Sequence, residues 1–271
     1  LTAVSHIIRG IDLQDSARRQ RFIYEYLDWQ YPEVLHWGHV NVDAYDVPLS
    51  TSAIAAAIEA GELDGWDDPR APTLRSLRRR GITGDAVVET MVGLGMSTSN
   101  VDLAMSSIYA ANRTRVDPTA PRAFFVRDPV RFGVSGLPEQ VAVDRHPDDP
   151  AMGTRSISPT DVVVLEPEDV PAAGERVWLK GAGCVRREDD RLMGTHEPID
   201  VVRSGGVDVV HWAPADGQPV HMRTPTGTVT GVGAPSVASV PEDTVVQFER
   251  VGFARIDTHR EDRTVAYFAH R

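Results

Sequence analysis

The chain of 271 residues is 41% hydrophobic and carries 39 acidic against 28 basic side chains, a formal net charge of −11. That apolar content supports two or three compact units with cores of their own and excludes a disordered tail. No apolar run approaches the roughly 20 residues of a bilayer-spanning helix, and the single Cys184, expected as a buried small hydrophobe, excludes an internal disulfide and any multi-thiolate metal site.

The acids are mostly aspartate and the bases almost wholly arginine, Lys180 being the one lysine. Such a balance keeps a carboxylate-rich surface hydrated in concentrated salt, where self-repulsion is screened. It describes the solvent more than a partner, and the expectation is a soluble, cytoplasmic protein with no membrane partner.

The chain opens on Leu1 inside an apolar run, LTAVSHIIRGID, and reads as a segment of a longer protein. Residues 16–29 (SARRQRFIYEYLDW) place Phe22, Ile23, Tyr26 and Leu27 on one helical stripe with arginines opposite. The extended stretch VLHWGHVNV leads to PLSTS and a second helix, AIAAAIEAG, which Gly61 stops. After GELDGWDDPRAP, helices are expected over 73–80, 84–94 and 99–112, the last opening on Ser99 and Asp102 at capping-box spacing.

From about residue 118 the period changes. VVVLEPEDV, ERVWLKG, DVVHWAP, PVHMRTP, TVVQFERVGFARID and VAYFAH are short β-branched or aromatic runs between Gly, Pro and Asp turns, which predict an all-β, barrel-like half. GAGCVR and GLGMST lack the strand, third glycine and helix of a dinucleotide fingerprint. No nucleophile elbow, Walker loop or H-E-x-x-H is present, and the nine histidines stand at spacings no metal needs.

In chain order the remaining signals are VSHIIRGID, PLSTS, GWDDPRAPTLRSLRRRGI, APRAFFVRDPVRF, HPDDPAMGTRS and VQFERVGFARID. This series resembles the C-terminal half of the glutamyl- and glutaminyl-tRNA synthetases, most closely the archaeal glutamyl type, and GWDDPR-x-PT-x-x-x-LRRRG is its most specific piece. The resemblance implies a multidomain α+β architecture. Residues 1–62 would be the end of a nucleotide-binding α/β catalytic domain with its phosphate-loop region, and 63–117 a helical stem-contact domain. Two all-β anticodon-binding barrels would follow, a proximal one from 118–190 with 240–271 and a distal one from 191–239.

The implied activity is attachment of L-glutamate to tRNA(Glu) through glutamyl-adenylate, with Mg-bound ATP as substrate and no protein-bound metal, by a monomer. Charging of tRNA(Gln) stays open. The family's His-x-Gly-His motif has no counterpart here, so the chain alone is expected to be catalytically incomplete. A stand-alone non-catalytic tRNA-binding module and a glutaminyl-tRNA ligase are the alternatives.

Arg9 stands where glutamyl enzymes place an arginine near bound glutamate and glutaminyl relatives an uncharged residue, with His6 as support. A guanidinium holds a carboxylate in a bidentate pair and suits an amide less well. The residues alone also allow a strand-end arginine paired to Asp12 or Asp15. PLSTS occupies the place of the family's Lys-Met-Ser-Lys-Ser loop without a lysine. Ser50, Thr51 and Ser52, with the amides of the following helix, are the implied ATP-phosphate contacts, and Ser50 or Thr51 also suits an N-cap.

Arg70, Arg75, Arg78 and Arg79 are the implied contacts to the tRNA stem, with Leu74 and Leu77 facing inward. A solvated basic face balanced by Asp64, Asp67 and Asp68 is the competing reading. HPDDPAMGTRS resembles the segment that reads an anticodon base, which makes Arg155 a base or phosphate contact. Trp178, Trp212 and Phe253 are either core or stacking platforms.

Overall fold

Where the sequence period changes, near residue 118, the computed structural model, which describes residues 4–42, 45 and 49–271, passes from helices to sheets. Strands β1 (His6–Gly10) and β2 (Glu33–Trp37) pair in parallel across helix α1 (Gln14–Tyr26). Strand β3 (Val40–Val42) pairs in parallel with β4 (Val101–Leu103), and between them the chain forms α2 (Thr51–Glu59), α3 (Leu74–Arg80) and α4 (Gly84–Leu94). Helix α5 (Met105–Val116) follows.

The helix expected over 99–112 therefore starts at Met105, and Ala104, its N-cap, makes no side-chain cap. Residues assigned to its first turn are engaged by β3 instead. The Asn100 side-chain oxygen accepts from the His39 amide at 3.0 Å, and Asn41 Nδ2 donates to Asp102 at 2.9 Å. At the β2–β3 turn, a Cβ on Gly38 would lie 2.2 Å from the Ser99 carbonyl oxygen, so backbone approach there requires glycine.

Helix α1 forms as expected, but Phe22, Ile23, Tyr26 and Leu27 are exposed and Ala17 is its one buried residue. It is held from the opposite side, where Tyr24 packs edge-on against Tyr31 and the Tyr31 hydroxyl donates to the Ala17 carbonyl. Leu74 also differs from expectation. It is exposed, whereas Leu77 is buried.

The sheet half contains β5 (Arg122–Ala123), β6 (Phe125–Arg127), β7 (Val130–Ser135), β8 (Val141–Asp144), β9 (Thr154–Ile157), β10 (Val162–Leu165), β11 (Arg176–Leu179), β12 (Gly183–Glu188) and β13 (Arg191–Gly194). After helix α6 (Ile199–Ser204) come β14 (Val209–Val210), β15 (Ala213–Pro214), β16 (Gln218–Thr224), β17 (Gly227–Gly233), β18 (Val245–Phe248), β19 (Gly252–His259) and β20 (Thr264–His270).

A proximal seven-stranded sheet runs β5-β18-β19-β20-β16-β17-β6, and a distal one runs β14-β11-β12-β13-β7-β10-β15. The strands thus divide as 122–127 with 218–270, and 130–135 with 162–214, β8 and β9 forming a two-stranded sheet of their own, rather than at the expected boundaries of 190, 191, 239 and 240. Local pattern identifies each strand but not its partner. The ladders of β6 with β17 and of β16 with β20 decide membership.

Each sheet curls until its two edge strands are neighbours in sequence. Phe124 joins β5 to β6, and His211 with Trp212 joins β14 to β15. No ladder links either pair of edges among the described residues, so the expected closed barrels are open half-barrels whose edges the chain itself connects. The linking side chains are buried, with Phe124 and Trp212 in the distal core beside Phe132, Leu165 and Leu192. Each such fully buried side chain contributes about 1.5–3 kcal/mol.

Helices and proximal sheet share a second core, in which Leu77, Ile82 and Ile108 meet Phe253 and Ala269. A buried polar knot ties them further. Arg80, 1% exposed, donates to the Phe268 and Ala269 carbonyls at 2.9 and 2.6 Å and to the Tyr109 hydroxyl at 2.9 Å. Asn112 accepts from the Thr83 amide, donates to the Gly81 carbonyl and bonds the His270 ring. Gly81 itself has φ +91°, and a Cβ there would meet Val245 at 2.9 Å. Helix α3 is thereby fixed on the proximal sheet.

Candidate nucleic-acid interface

GWDDPRAPTLRSLRRRG folds as a turn and a capped helix. Asp68, 1% exposed, accepts from the Asp64 and Arg70 amides at 2.9 Å each and from Arg70 Nε and Nη2 at 2.9 and 2.7 Å. Burial alone would raise its pKa; the bonds from Arg70 and the two amides outweigh burial and hold it at about 2. Thr73 then caps α3 by accepting from the Ser76 amide at 3.0 Å, and Gly81 ends it in the left-handed region.

The arginines of this stretch have different fates. Arg70 is held by Asp68, and Arg80 lies in the buried knot. Arg79 bridges Asp67 at 2.9 Å and Asp257 of β19 at 3.1 Å while stacking over Tyr267. Asp64 is taken by Arg223 of β16 at 2.5 Å. Arg75 and Arg78 remain exposed with no hydrogen-bond or ion-pair partner among the described residues. The acids read as balancing the whole cluster therefore neutralise Arg70, Arg79 and Arg223, leaving two free cations on a helix fixed to the sheet.

Arg75, Arg78 and Arg79 line an open groove of about 970 Å³ together with Asp243, Arg255 and Asp257. Burial would raise the Asp257 pKa, and its bonds from Arg79 and Arg255 bring it below the ordinary value. Asp257 thus neutralises Arg79 as well as Arg255, which leaves the unpaired positive charge of the groove on Arg75 and Arg78.

Arg155 is placed on β9 with a side chain 1% exposed. Its guanidinium stacks on Phe124 at 4.4 Å, donates to the Arg122 carbonyl, and bridges Glu249 at 3.1 Å. Burial lowers its pKa against the opposing effect of Glu249. Such a group supports a surface from beneath, and the direct contact expected of it is unavailable in this arrangement. Glu249 also bonds Lys180, which is 44% exposed.

Two more pairs cross from proximal to distal sheet. Arg127 grips the buried Glu166 with two bonds of 2.6 Å, and Arg250 bonds Asp169 at 2.5 Å. Burial alone would raise the Glu166 pKa, and Arg127 turns the shift downward. His211 Nε2 donates to the Phe125 carbonyl at 2.8 Å beside Glu166, and its burial lowers its pKa, favouring the neutral ring. Trp212 and Phe253 are core residues, whereas Trp178 is half-buried.

In the N-terminal segment, Arg9 Nη2 donates to Gln20 at 3.0 Å. It forms no ion pair with Asp12 or Asp15, the latter pairing with Arg18, so its charge is positioned by a neutral side chain. Ser50 accepts from the Ala53 amide at 3.5 Å as the N-cap of α2, and its hydroxyl lies 3.0 Å from that of Ser52. Pro48 of PLSTS lies outside the described residues. Arg9 lies on β1, Ser50–Ser52 at the start of α2, and the arginine cluster on α3.

Three family models match in succession. One is the catalytic domain of class I tRNA synthetases (E and Q), over residues 1–118; two are anticodon-binding domains of the same class, over 120–202 and 209–257. The chain is 59% identical over 268 residues to a glutamate–tRNA ligase of Natronomonas pharaonis, an alignment covering 98% of this chain and 47% of the relative. It is 57% identical over 279 residues to one of Haloarcula marismortui, covering 100% and 48%. A relative from Methanosarcina acetivorans, with the same name, is 41% identical over 274 residues, covering 99% and 48%. The chain belongs to the archaeal glutamyl-type class I tRNA synthetases. It spans about half the length of these relatives.

Within this synthetase family, the catalytic match ends at residue 118, where the helical half ends, and the strands of both half-barrels lie in segments matched as anticodon-binding except for the end of β19 and all of β20, which follow the last match. Among the described residues, no three His, Cys, Asp or Glu side chains converge to hold a metal ion, and no helix is long and apolar enough to cross a membrane. Sequence reasoning missed Lys180 and the cross-sheet pairs as site features. The isolation of Lys180 as the one lysine in an arginine-rich chain was an available signal; the pairs had none, because their partners are distant in sequence.

Proposed function

We propose that this chain is the tRNA-gripping portion of a glutamate–tRNA ligase, which joins L-glutamate to tRNA(Glu) through glutamyl-adenylate, using Mg-bound ATP as substrate. The observation that carries the reading is the collinear match of one catalytic and two anticodon-binding segments across this chain. Arg75 and Arg78 meet phosphates of the tRNA stem, while Arg70 and Arg79, already paired to aspartates, shape the surface around them. Phosphate contacts of this kind position RNA without reading its sequence. Lys180 and the half-buried Trp178 lie beside the sheet junction, where anticodon bases are met, and Arg155 with Glu249 holds that junction from below.

Arg9 meets the glutamate carboxylate, with Gln20 orienting it and leaving its charge unneutralised. Ser50, Thr51 and Ser52, with the amides at the start of α2, meet ATP phosphate. Without a lysine this loop supplies hydrogen bonds and a helix N-terminus but no point charge. The chain alone binds tRNA and leaves the adenylate step to the intact ligase.

The test measures tRNA binding and glutamate-dependent ATP–pyrophosphate exchange on the purified 271-residue chain in concentrated potassium chloride. Binding without exchange is expected. Exchange well above background would overturn the incomplete-site reading, and absence of tRNA binding would overturn the gripping role.

A further inference from the structure

The outer face of the distal sheet carries cations that the tRNA contacts above do not use. Along β7, β12 and β13 the inward positions Phe132, Val134, Val185 and Leu192 are buried, and the outward positions Arg131, Arg186 and Arg191 are exposed. Their register is specific. Arg191 lies opposite Gly133 of β7 and Glu188 of β12, Arg131 is two residues before Gly133, and Arg186 two residues before Glu188. The three therefore form one diagonal line across three adjacent strands, each step one strand over and two residues along, about 8 Å from ordinary strand spacing and rise.

None of the three has a hydrogen-bond or ion-pair partner among the described residues. By contrast, the strand residues Arg122, Arg127, Arg155, Arg176, Arg223 and Arg255 each bond a carboxylate, and Arg187 bonds two backbone carbonyls. Glu188 stands directly opposite Arg191 yet forms no pair with it. Instead the Arg191 guanidinium reaches across β7 at Gly133, where an added Cβ would lie 3.2 Å from Nη1 and 3.5 Å from Cζ. Gly133 thus leaves room for this side chain to lie along the sheet. Like charges gathered on one sheet face disfavour the fold unless something answers them; Glu188 shares that face without bonding Arg191, and Asp189 and Asp190 lie in the turn between β12 and β13.

We propose that Arg131, Arg186 and Arg191 form a binding track for an RNA phosphate backbone on the outer face of the distal sheet. A straight row of guanidiniums suits a linear polyanion, each fork taking phosphate oxygens at short range, which is the contact that survives where salt screens longer-range attraction. The track is sequence-independent and adds to the grip on tRNA. The inference rests on the tRNA-binding reading.

The test compares wild type, the variant with Arg131→Gln, Arg186→Gln and Arg191→Gln, and the separate variant with Arg75→Gln and Arg78→Gln. Each is titrated with tRNA(Glu) transcript over a potassium chloride series, with thermal melting to verify the fold. The triple variant is expected to bind more weakly and to lose about two to three units of the slope of log affinity against log salt, near 0.7–0.9 per contact. Replacement by lysine at all three positions should restore most of the slope. Unchanged affinity and slope in the triple variant, while wild type binds and the α3 variant is weakened, overturn the track alone. Failure of wild type to bind tRNA overturns both readings. Loss of binding to an acidic protein surface, with tRNA binding unchanged, would likewise assign the row to a protein partner and overturn the RNA track.

Discussion

Replacing Asp68 by Asn should unsettle the segment that carries α3. The carboxylate sits at about 2 on the pKa scale, about two units below the ordinary aspartate value near 4, which at about 1.4 kcal/mol per unit amounts to about 2–3 kcal/mol. Asn can still accept a backbone amide, but Arg70 loses its charged bidentate partner and Arg223, 3.8 Å from Asp68, loses a second acid. The expected loss is about 2–3 kcal/mol, or roughly 5–10 °C in melting temperature for a chain of this size.

The same change has a pH signature. Because the folded-state pKa is depressed, the contribution is full above about pH 4 and fades as pH falls towards about 2. The assay is thermal unfolding of both proteins from pH 7 to pH 2 at fixed potassium chloride. The difference between them should shrink through that acid window, although carboxylates such as Glu166 and Asp257, also depressed, titrate in both. A variant melting within about 1 °C of wild type at pH 7, with an identical acid profile, would refute the assignment of the turn to this carboxylate.

Arg75→Gln with Arg78→Gln should weaken binding about equally for tRNAs of any anticodon and flatten the salt slope by nearly one unit per lost phosphate contact, read by fluorescence anisotropy. In the intact ligase, Arg9→Ala should raise the KM for glutamate about 30-fold or more with little change in that for ATP, the loss of a charged pair being worth on the order of 2–4 kcal/mol. Gln20→Ala should move the same parameter less, because it disorients Arg9 without removing it. Glu249→Gln should lower the denaturant midpoint more than Arg155→Met. The first leaves a guanidinium buried without its carboxylate, at a cost of about 3 kcal/mol, while the second leaves Glu249 paired to Lys180.

Helices α1 to α4 and most of the strands were legible in the sequence, since period and end signals are local. Gly61 and Gly81 both take positive φ at helix ends. The partition of the arginine cluster was not legible, because Asp257 and Arg223, which decide the fates of Arg79 and Asp64, lie well over a hundred residues away. Ser99 and Asp102 imitate a capping box, yet the segment belongs to a parallel strand pair whose other member is β3. Arg155 read as a surface contact from its loop; its burial depends on Phe124, itself the link between the two edges of the proximal sheet. The α1 stripe has ordinary amphipathic spacing and is nevertheless exposed, because periodicity reports which side is apolar and says nothing of what lies against it.

The central claim meets its most direct test in charging assays of the intact protein with purified tRNA(Glu) and tRNA(Gln), offered labelled glutamate or glutamine with ATP in concentrated potassium chloride. The account expects glutamate on tRNA(Glu) and no glutamine on either tRNA, with Arg9→Ala abolishing most of the glutamate transfer. Transfer of glutamine to tRNA(Gln), or no ATP-dependent transfer of either amino acid, would contradict it.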